Sequence, residues 1–210
     1  NLAPNKRTLY ELEEGDTRKF MTLWCPDGAH YTELNGNVAD WNYMINHLSS
    51  DKHLYGTRKE CPDYQMADMD NEINTRLVRY SDVLLMYAEC LSEAGNDNKA
   101  ITDKEGPKYY IQKVRNRANN IVPSEQPHLW YQSAPGVIPN VVDLLASGKL
   151  ITGVRMHSIK NLIVHERYVE LCGEYLRYFD LLRWGMADAK WLDTIKALGW
   201  SEKAMYYPFP

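Results

Sequence analysis

The sequence lacks the short motifs on which common catalytic and nucleotide-binding sites depend. It has no G-x-S-x-G nucleophile turn, no phosphate-binding P-loop and no G-x-G-x-x-G loop. His165 and Glu166 begin like the helix of a zinc protease, but Val169 stands where the second histidine is required. The sequence therefore encodes no metalloprotease helix and contains none of these short catalytic motifs.

Other absences exclude metal and nucleic-acid classes. The four cysteines have no CxxC or CxxxC spacing, which argues against zinc. Asp68, Asp70 and Glu72 follow the spacing of a calcium loop, but Ile73 and Arg79 replace the required Gly and Glu. An isolated cation site at these carboxylates stays open, although we expect no metal and no cofactor. The net charge of -4 argues against a nucleic-acid footprint.

Targeting signals are also missing from this stretch of sequence. There is no secretory signal, no lipidation cysteine near the start and no apolar run of about 18 residues. Two cysteines, Cys90 and Cys172, lie inside apolar helical patterns and are expected in the core. Cys25 and Cys61 lie in a loop-rich region, and whether they pair is left open.

The aromatic content is high and uneven, with Tyr 15 and Trp 6 against Phe 3. Tyr and Trp combine an apolar ring with a polar group, which suits amphipathic surfaces. Sugar rings, with apolar faces and hydroxyl edges, are one partner for such side chains. Packing of half-exposed helices is the other.

Residues 161 to 185 form the most distinctive segment, because apolar side chains cover most of its turns while seven charges run through it. The pattern predicts one helix, or two coaxial helices meeting at Gly173. Opposite charges three residues apart are neighbours on a helix surface, and buried ions without partners are costly. We therefore predict a structural ion-pair network with these members: Arg79, Asp82, Glu166, Arg167, Glu170, Arg177, Asp180 and Arg183.

A second apolar helix is predicted from Asn74 to Gly95, capped by Asn74 or Thr75 and apolar around most of its girth. The charged side chains along this helix should form ion pairs with charged side chains of the 161–185 segment. Specifically, Arg79 or Asp82 is expected within salt-bridge distance of one of three residues: Arg177, Asp180 or Glu170.

Further helices are predicted from Pro107 to about Ala118, from Pro139 and Asn140 to Ser147, and from Ala187 to Leu198. Residues 1 to 75 show no sustained period and are interrupted by Pro and Gly. Short strands are plausible at Lys19–Trp24 and Ala29–Leu34, and the latter is followed by an Asn-Gly-Asn turn signal. The aromatics of this segment argue against disorder, so it is predicted to be an ordered, irregular binding surface.

Several blocks resemble one family. ERYVEL and EYLRYFDLLRWG (residues 166–171 and 174–185) look like the C-terminal signature of the SusD/RagB family, the outer-membrane glycan- and nutrient-binding lipoproteins of Bacteroidetes-type bacteria. RYSDVLLMYAE (79–89), VRNRA (114–118) and the closing YPFP (207–210) resemble further family elements in the right order. Asp16-Thr17-Arg18 resembles a common D-x-R element and is a weaker signal.

The resemblance implies a mainly α fold, a SusD-like scaffold of tetratricopeptide type with a few short strands. The domain reading is then a loop-rich segment, 1–75, and a helical C-terminal region, 76–210, with the N-terminal half of the family fold absent from this chain. The implied function is non-catalytic binding of a glycan or other nutrient at the surface of the outer membrane. The implied partners are a TonB-dependent transporter and the missing half, and the implied location is the outer membrane through a lipid anchor.

Candidate ligand residues follow from position in the irregular segments and from no family motif. They are Trp24, Trp41, Tyr43 and Tyr31, with Trp130 and Tyr131 as a second patch. The alternative from a different class is a helical-repeat scaffold that binds a protein or peptide. A glycosidase would need two carboxylates roughly 5 to 10 Å apart in a cleft, and the recognisable acids here lie beside Arg. Binding without catalysis is therefore favoured, and no residue is predicted to be catalytic.

Overall fold

The fold is seen in a computed structural model that describes a defined part of the chain. The described residues are 12, 13, 16, 18, 22–24, 31–32, 38–39, 56–57, 59, 76–119, 138–148, 150–151, 154–174 and 176–187. Four predictions lie outside them: the helix at 187–198 apart from Ala187, the helix cap at residues 74 and 75, the Cys25–Cys61 question and the carboxylates 68, 70 and 72.

Helices dominate the described residues, which confirms the predicted mainly α fold. They are α1 (Tyr80–Glu93), α2 (Pro107–Asn119), α3 (Val141–Ser147), α4 (Ile159–Glu170) and α5 (Arg177–Ala187), with a short 3-10 turn at Asn96–Asn98. Helix α2 begins at its proline, as predicted. Helix α3 is capped by the Asn140 side chain and stopped by Gly148 at φ 55°, a left-handed conformation that favours glycine.

The strands of the described residues form antiparallel pairs of two residues each. β1 (Leu23–Trp24) pairs antiparallel with β4 (Gly56–Thr57), and β2 (Tyr31–Thr32) pairs with β3 (Val38–Ala39). β1 and β2 fall inside the two predicted strand ranges. A further pair, β5 (Leu150–Ile151) and β6 (Val154–Arg155), was not predicted.

The main hydrophobic core lies where α1, α2, α3 and α4 pack together. Its fully buried members include Leu85, Ile111, Leu144 and Leu162, one from each of the four helices. A smaller cluster joins Leu12, from the first part of the chain, to Val169 on α4. Helix α4 therefore packs against the main core and against Leu12.

Helix α1 differs from its prediction in two ways. It begins at Tyr80, because Arg79 is already in an extended conformation, and no side chain caps it. Only one side of it is buried, so the apolar residues on the opposite side are exposed, and Cys90 is exposed with them. The expectation that Cys90 is a core residue was wrong, because apolar composition around a helix does not determine which side meets the core.

The 161–185 segment is two helices and not one. Helix α4 ends at Glu170, and α5 starts at Arg177. Gly173 between them has φ 80°, which an L side chain rarely adopts, so the helix is interrupted there. The chain divides into two compact units, Asn1–Gly173 and Glu174–Pro210. The boundary proposed near residue 75 stays a prediction.

Helix α4 is capped by Ser158, whose Oγ accepts a hydrogen bond from the backbone N–H of Asn161 at 3.1 Å. Ser158→Ala should lower the free energy of unfolding by about 1 kcal/mol, because a partly buried N–H at the start of the helix loses this hydrogen bond. Urea denaturation measures the loss. Ser158→Asp retains a capping oxygen and should stay close to the native stability; an equal loss in both variants would contradict the capping role.

Among the described helices, none combines the length and the apolar character needed to cross a membrane.

Candidate functional site

Helix α4 places two acids in the interior of the first unit. Glu166 and Glu170 are four residues apart, so they lie on one side of the helix, and they are 0% and 1% exposed. Both are surrounded by arginines from other elements. We call this group the Glu166 cluster, and its members are Glu13, Asp16, Arg18, Arg79, Arg115, Arg117, Glu166 and Glu170.

Glu166 is held by two arginines. Arg18 Nη1 donates to Oε2 at 2.8 Å, and Arg115 Nη1 donates to Oε1. Burial alone would raise the pKa of this carboxyl, but the charges of Arg18 and Arg115 outweigh it and lower the pKa to about 2. Glu166 is therefore ionised throughout the physiological range.

Glu170 has a similar environment with different partners. Its Oε1 accepts from Arg79 and Arg117, and its Oε2 accepts from Arg18 at 3.3 Å. Burial again opposes ionisation, while Arg18, Arg117 and Arg79 lower the pKa to about 2. The backbone carbonyl of Glu170 also accepts from Arg79 and from Lys59. The C-terminal end of α4 is thus fixed by several elements at once.

The arginines extend the cluster into the first part of the chain. Arg18 binds Asp16 through Nε to Oδ1 at 2.9 Å and Nη2 to Oδ2 at 2.6 Å. Arg115, on α2, donates from Nη2 to Glu13 Oε1 at 2.7 Å and to the carbonyl of Pro139 at 2.8 Å. Such paired contacts hold both charges in one geometry. The cluster therefore joins Glu13, Asp16 and Arg18 to α2 and α4.

Ion pairs also link α1 to α4. Arg79, immediately before α1, pairs with Glu170, which is the contact predicted between the two segments. Arg167 Nη1 reaches Asp82 Oδ1 at 2.8 Å, with both side chains almost completely buried. In the second unit, Arg183 pairs with Asp180 at 3.0 Å within α5. Arg177 and Arg183 there lie over the Trp184 ring, 5.6 and 4.8 Å from its centroid.

The Glu166 cluster is poorly suited to chemistry. A general acid needs a pKa near the working pH, and the two central carboxyls have values near 2. Glu13, His165 and Glu166 each offer a ligand atom within 4.8 Å of the others, the geometry of a possible metal site. However, Arg115 donates to both acids, and a divalent cation would meet its positive charge. Glu166 and Glu170 are therefore ion-pair partners of arginines, and the charge of Arg115 opposes a metal ion between Glu13 and Glu166.

The structure describes two of the six predicted ligand residues. The backbones of Trp24 and Tyr31 lie in β1 and β2, and these two strands belong to different strand pairs. Trp41, Tyr43, Trp130 and Tyr131 lie outside the described residues. Their role in ligand binding stays a prediction.

Five members of the cluster were not assigned a role from the sequence: Glu13, Asp16, Arg18, Arg115 and Arg117. Four of them fall in two of the quoted blocks, Asp16-Thr17-Arg18 and VRNRA, but their sequence neighbours are mostly polar or charged, so no local pattern marked them as buried. The long sequence separations hid the partners, since Arg18 lies 148 residues from Glu166.

Comparison with known proteins gives one match. The family model described as "SusD family" matches residues 4–204. No curated protein and no solved structure matches the chain. The matched residues include the helices α1 to α5 and the whole Glu166 cluster. Because the match spans nearly the whole sequence, this chain belongs to the SusD family.

Proposed function

We propose that this protein binds a glycan or another nutrient at the outer-membrane surface, without catalysis, and delivers it to a partner TonB-dependent transporter. In this proposal a lipid anchor holds the protein at the membrane. The ligand lies on the aromatic, loop-rich part of the chain, and the buried helices act only as support.

Family membership is the observation that carries the proposal. The SusD family implies glycan or nutrient binding at the cell surface, and its members are generally non-catalytic. Members are surface-associated outer-membrane lipoproteins that work with TonB-dependent transporters. The specific ligand, transporter and anchor of this chain are part of the proposal.

The geometry of the first unit supports the same assignment of ligand binding to the aromatic segment and of structural support to the helices. The Leu12–Val169 contact and the Arg18–Glu166 pair fix Leu12 and Arg18 on α4, and the Arg115–Glu13 pair fixes Glu13 on α2. Trp24 lies in β1, which follows these fixed residues closely in the chain. A rigidly supported loop loses less conformational entropy when it binds, which favours recognition.

The proposed contacts are ring stacking and edge hydrogen bonds. The indole and phenol rings of Trp24, Trp41, Tyr43 and Tyr31 would cover the apolar faces of a sugar, with Trp130 and Tyr131 as a second patch. Neighbouring polar groups would select its orientation through hydrogen bonds to hydroxyls.

Trp41→Ala and Trp24→Ala test this surface. A glycan array on the chain first identifies a soluble ligand, and affinity electrophoresis then measures retention. Each substitution should weaken binding at least about tenfold, which corresponds to about 1.4 kcal/mol. The melting temperature should stay unchanged.

Tyr80→Ala is the control, because it removes an exposed aromatic ring from helix α1 and should leave retention intact. A lower melting temperature with unchanged retention would instead assign the tryptophans to packing and favour the helical scaffold. Hydrolysis of an oligosaccharide, abolished by one Asp or Glu substitution, would overturn the non-catalytic proposal.

A further inference from the structure

Helix α2 carries four basic residues and no acid, in a chain whose net charge is -4. One of the four, Arg115, is buried in the Glu166 cluster. Lys113 and Arg117 are exposed and lie four residues apart near the C-terminal end of the helix. Side chains at this spacing are neighbours on the helix surface, and like charges there repel each other. This end of α2 therefore presents two neighbouring positive charges to solvent.

The start of α1 brings further positive charge to the same place. The Tyr80 hydroxyl accepts a hydrogen bond from Lys113 Nζ at 2.8 Å, so the N-terminus of α1 lies beside the C-terminal part of α2. Arg76 and Arg79 precede that N-terminus, and Arg76 is exposed. Three residues of chain span at most about 11 Å, which limits the distance between these two arginines. We call the four cations at this end the basic patch: Arg76, Arg79, Lys113 and Arg117.

One buried acid serves two members of the basic patch. Glu170 Oε1 accepts from both Arg79 and Arg117, so two positive charges converge on a single oxygen. The Arg117 side chain is nevertheless 58% exposed, and that of Arg79 is 18% exposed. No acid is exposed in the first turn of α1 or in the last two turns of α2, because Asp82 is buried against Arg167. The positive charge of the patch is therefore not balanced at the surface of these two helices.

We propose that the basic patch binds the carboxylate or sulfate groups of an acidic glycan. This inference rests on the proposed function, because it names the class of nutrient. A guanidinium presents its N–H groups in a planar fork that matches the oxygens of such an anion, and an ammonium adds a compact positive charge. A bound anion would also relieve the repulsion among the four cations.

The position of the patch favours a glycan over a lipid surface or an acidic protein. Asn119, the last residue of α2, binds the backbone of Ile138 twice: Oδ1 accepts from the N–H at 2.8 Å, and Nδ2 donates to the carbonyl at 3.2 Å. The two ends of the segment 120–137 therefore meet at the patch end of α2. That segment contains Trp130 and Tyr131, the second patch of candidate sugar-stacking rings. Cations for acidic groups and rings for sugar faces are thus close together in the chain.

The test compares three oligosaccharides by isothermal titration calorimetry on the full chain. Trigalacturonate carries carboxylates, a chondroitin sulfate tetrasaccharide carries carboxylates and sulfates, and fully methyl-esterified trigalacturonate carries no charge. At least one acidic probe should bind at least about tenfold more tightly than the ester. This preference should fall as salt rises from about 0.05 M to about 0.5 M, because salt screens exposed charges.

Arg76→Gln combined with Lys113→Gln removes two exposed charges of the patch and leaves the partners of Glu170 in place. The preference for the acidic probe should fall at least about fivefold. Lys104→Gln combined with Lys160→Gln is the matched control, because both lysines are exposed outside the patch and the net charge changes equally. The control should keep the preference, and both double variants should keep the native melting temperature.

An unchanged preference in the Arg76 and Lys113 double variant, or an equal loss in the control, would overturn the inference. So would equal binding of the acidic and esterified probes by the native chain, which would leave glycan binding, and with it the proposed function, intact. Binding of none of the three probes would overturn it as well, and the glycan array would then decide the proposed function separately. Vesicles containing phosphatidylglycerol that bind the native chain but not the double variant, without any preference among the sugars, would overturn it and identify a lipid surface as the occupant.

Discussion

Glu166→Gln should lower the free energy of unfolding by about 3–5 kcal/mol, the cost of removing one partner from a buried ion pair. The amide leaves Arg18 and Arg115 in the interior with less compensating negative charge, and these side chains are 7% and 0% exposed. The change is nearly isosteric, so the loss reports the charge and not a cavity. Urea denaturation at neutral pH measures it.

Glu105→Gln provides the matched control. Glu105 pairs with Lys99 at 3.3 Å, but its side chain is 80% exposed and the pair is at the surface. The same chemical change there should alter the unfolding free energy by less than about 1 kcal/mol. Equal stability losses at positions 166 and 105 would show that the Glu166 cluster contributes no more than a surface pair.

Acid is expected to destabilise the protein through the same two carboxyls. The pKa values of Glu166 and Glu170 are about 2 in the folded chain, against an ordinary 4.5. The unfolded chain therefore takes up protons first as the pH falls. The stabilisation is complete above about pH 4.5 and is lost progressively towards about pH 2. At about 1.4 kcal/mol per pKa unit, each carboxyl accounts for a loss of about 3 kcal/mol.

Comparing native protein with Glu166→Gln isolates the contribution of one carboxyl. The amide does not titrate, so the stability difference between the two should be greatest at neutral pH. It should shrink as the pH falls below about 4.5, because the native Glu166 then approaches the uncharged state. Urea midpoints from about pH 7 to about pH 3 trace the change. A difference that stays constant over this range would contradict the assigned pKa.

The sequence predicted much of the local structure. Pro107 marked the start of α2, and Asn140 with Gly148 bounded α3, because capping and turn residues act within a few positions of themselves. The quoted blocks from residue 79 onwards indicated the family and, through it, the mainly α fold. Helix α1 began later than predicted. The division of the 161–185 segment into two helices on either side of Gly173 was one of its two predicted forms.

The candidate site was less predictable than the fold. Trp24 and Tyr31 were chosen by position alone, and their assignment as ligand residues remains a proposal. The acids Glu166 and Glu170 were recognised as structural, but three of the arginines that hold them, Arg18, Arg115 and Arg117, were not. Charge spacing reveals neighbours on one helix, whereas these partners come from other elements.

The sequence by itself determined that this chain is a mainly helical SusD family member whose buried acids require cationic partners. Periodicity, caps and a few motifs were sufficient for that, because each depends on residues close together in the chain. Only the tertiary structure decided that Arg18 and Arg115 meet at Glu166 and that one apolar side of α1 is exposed in the described part of the chain. Both outcomes depend on how helices orient their faces when they pack, and an apolar, charge-bearing helix is compatible with several such orientations.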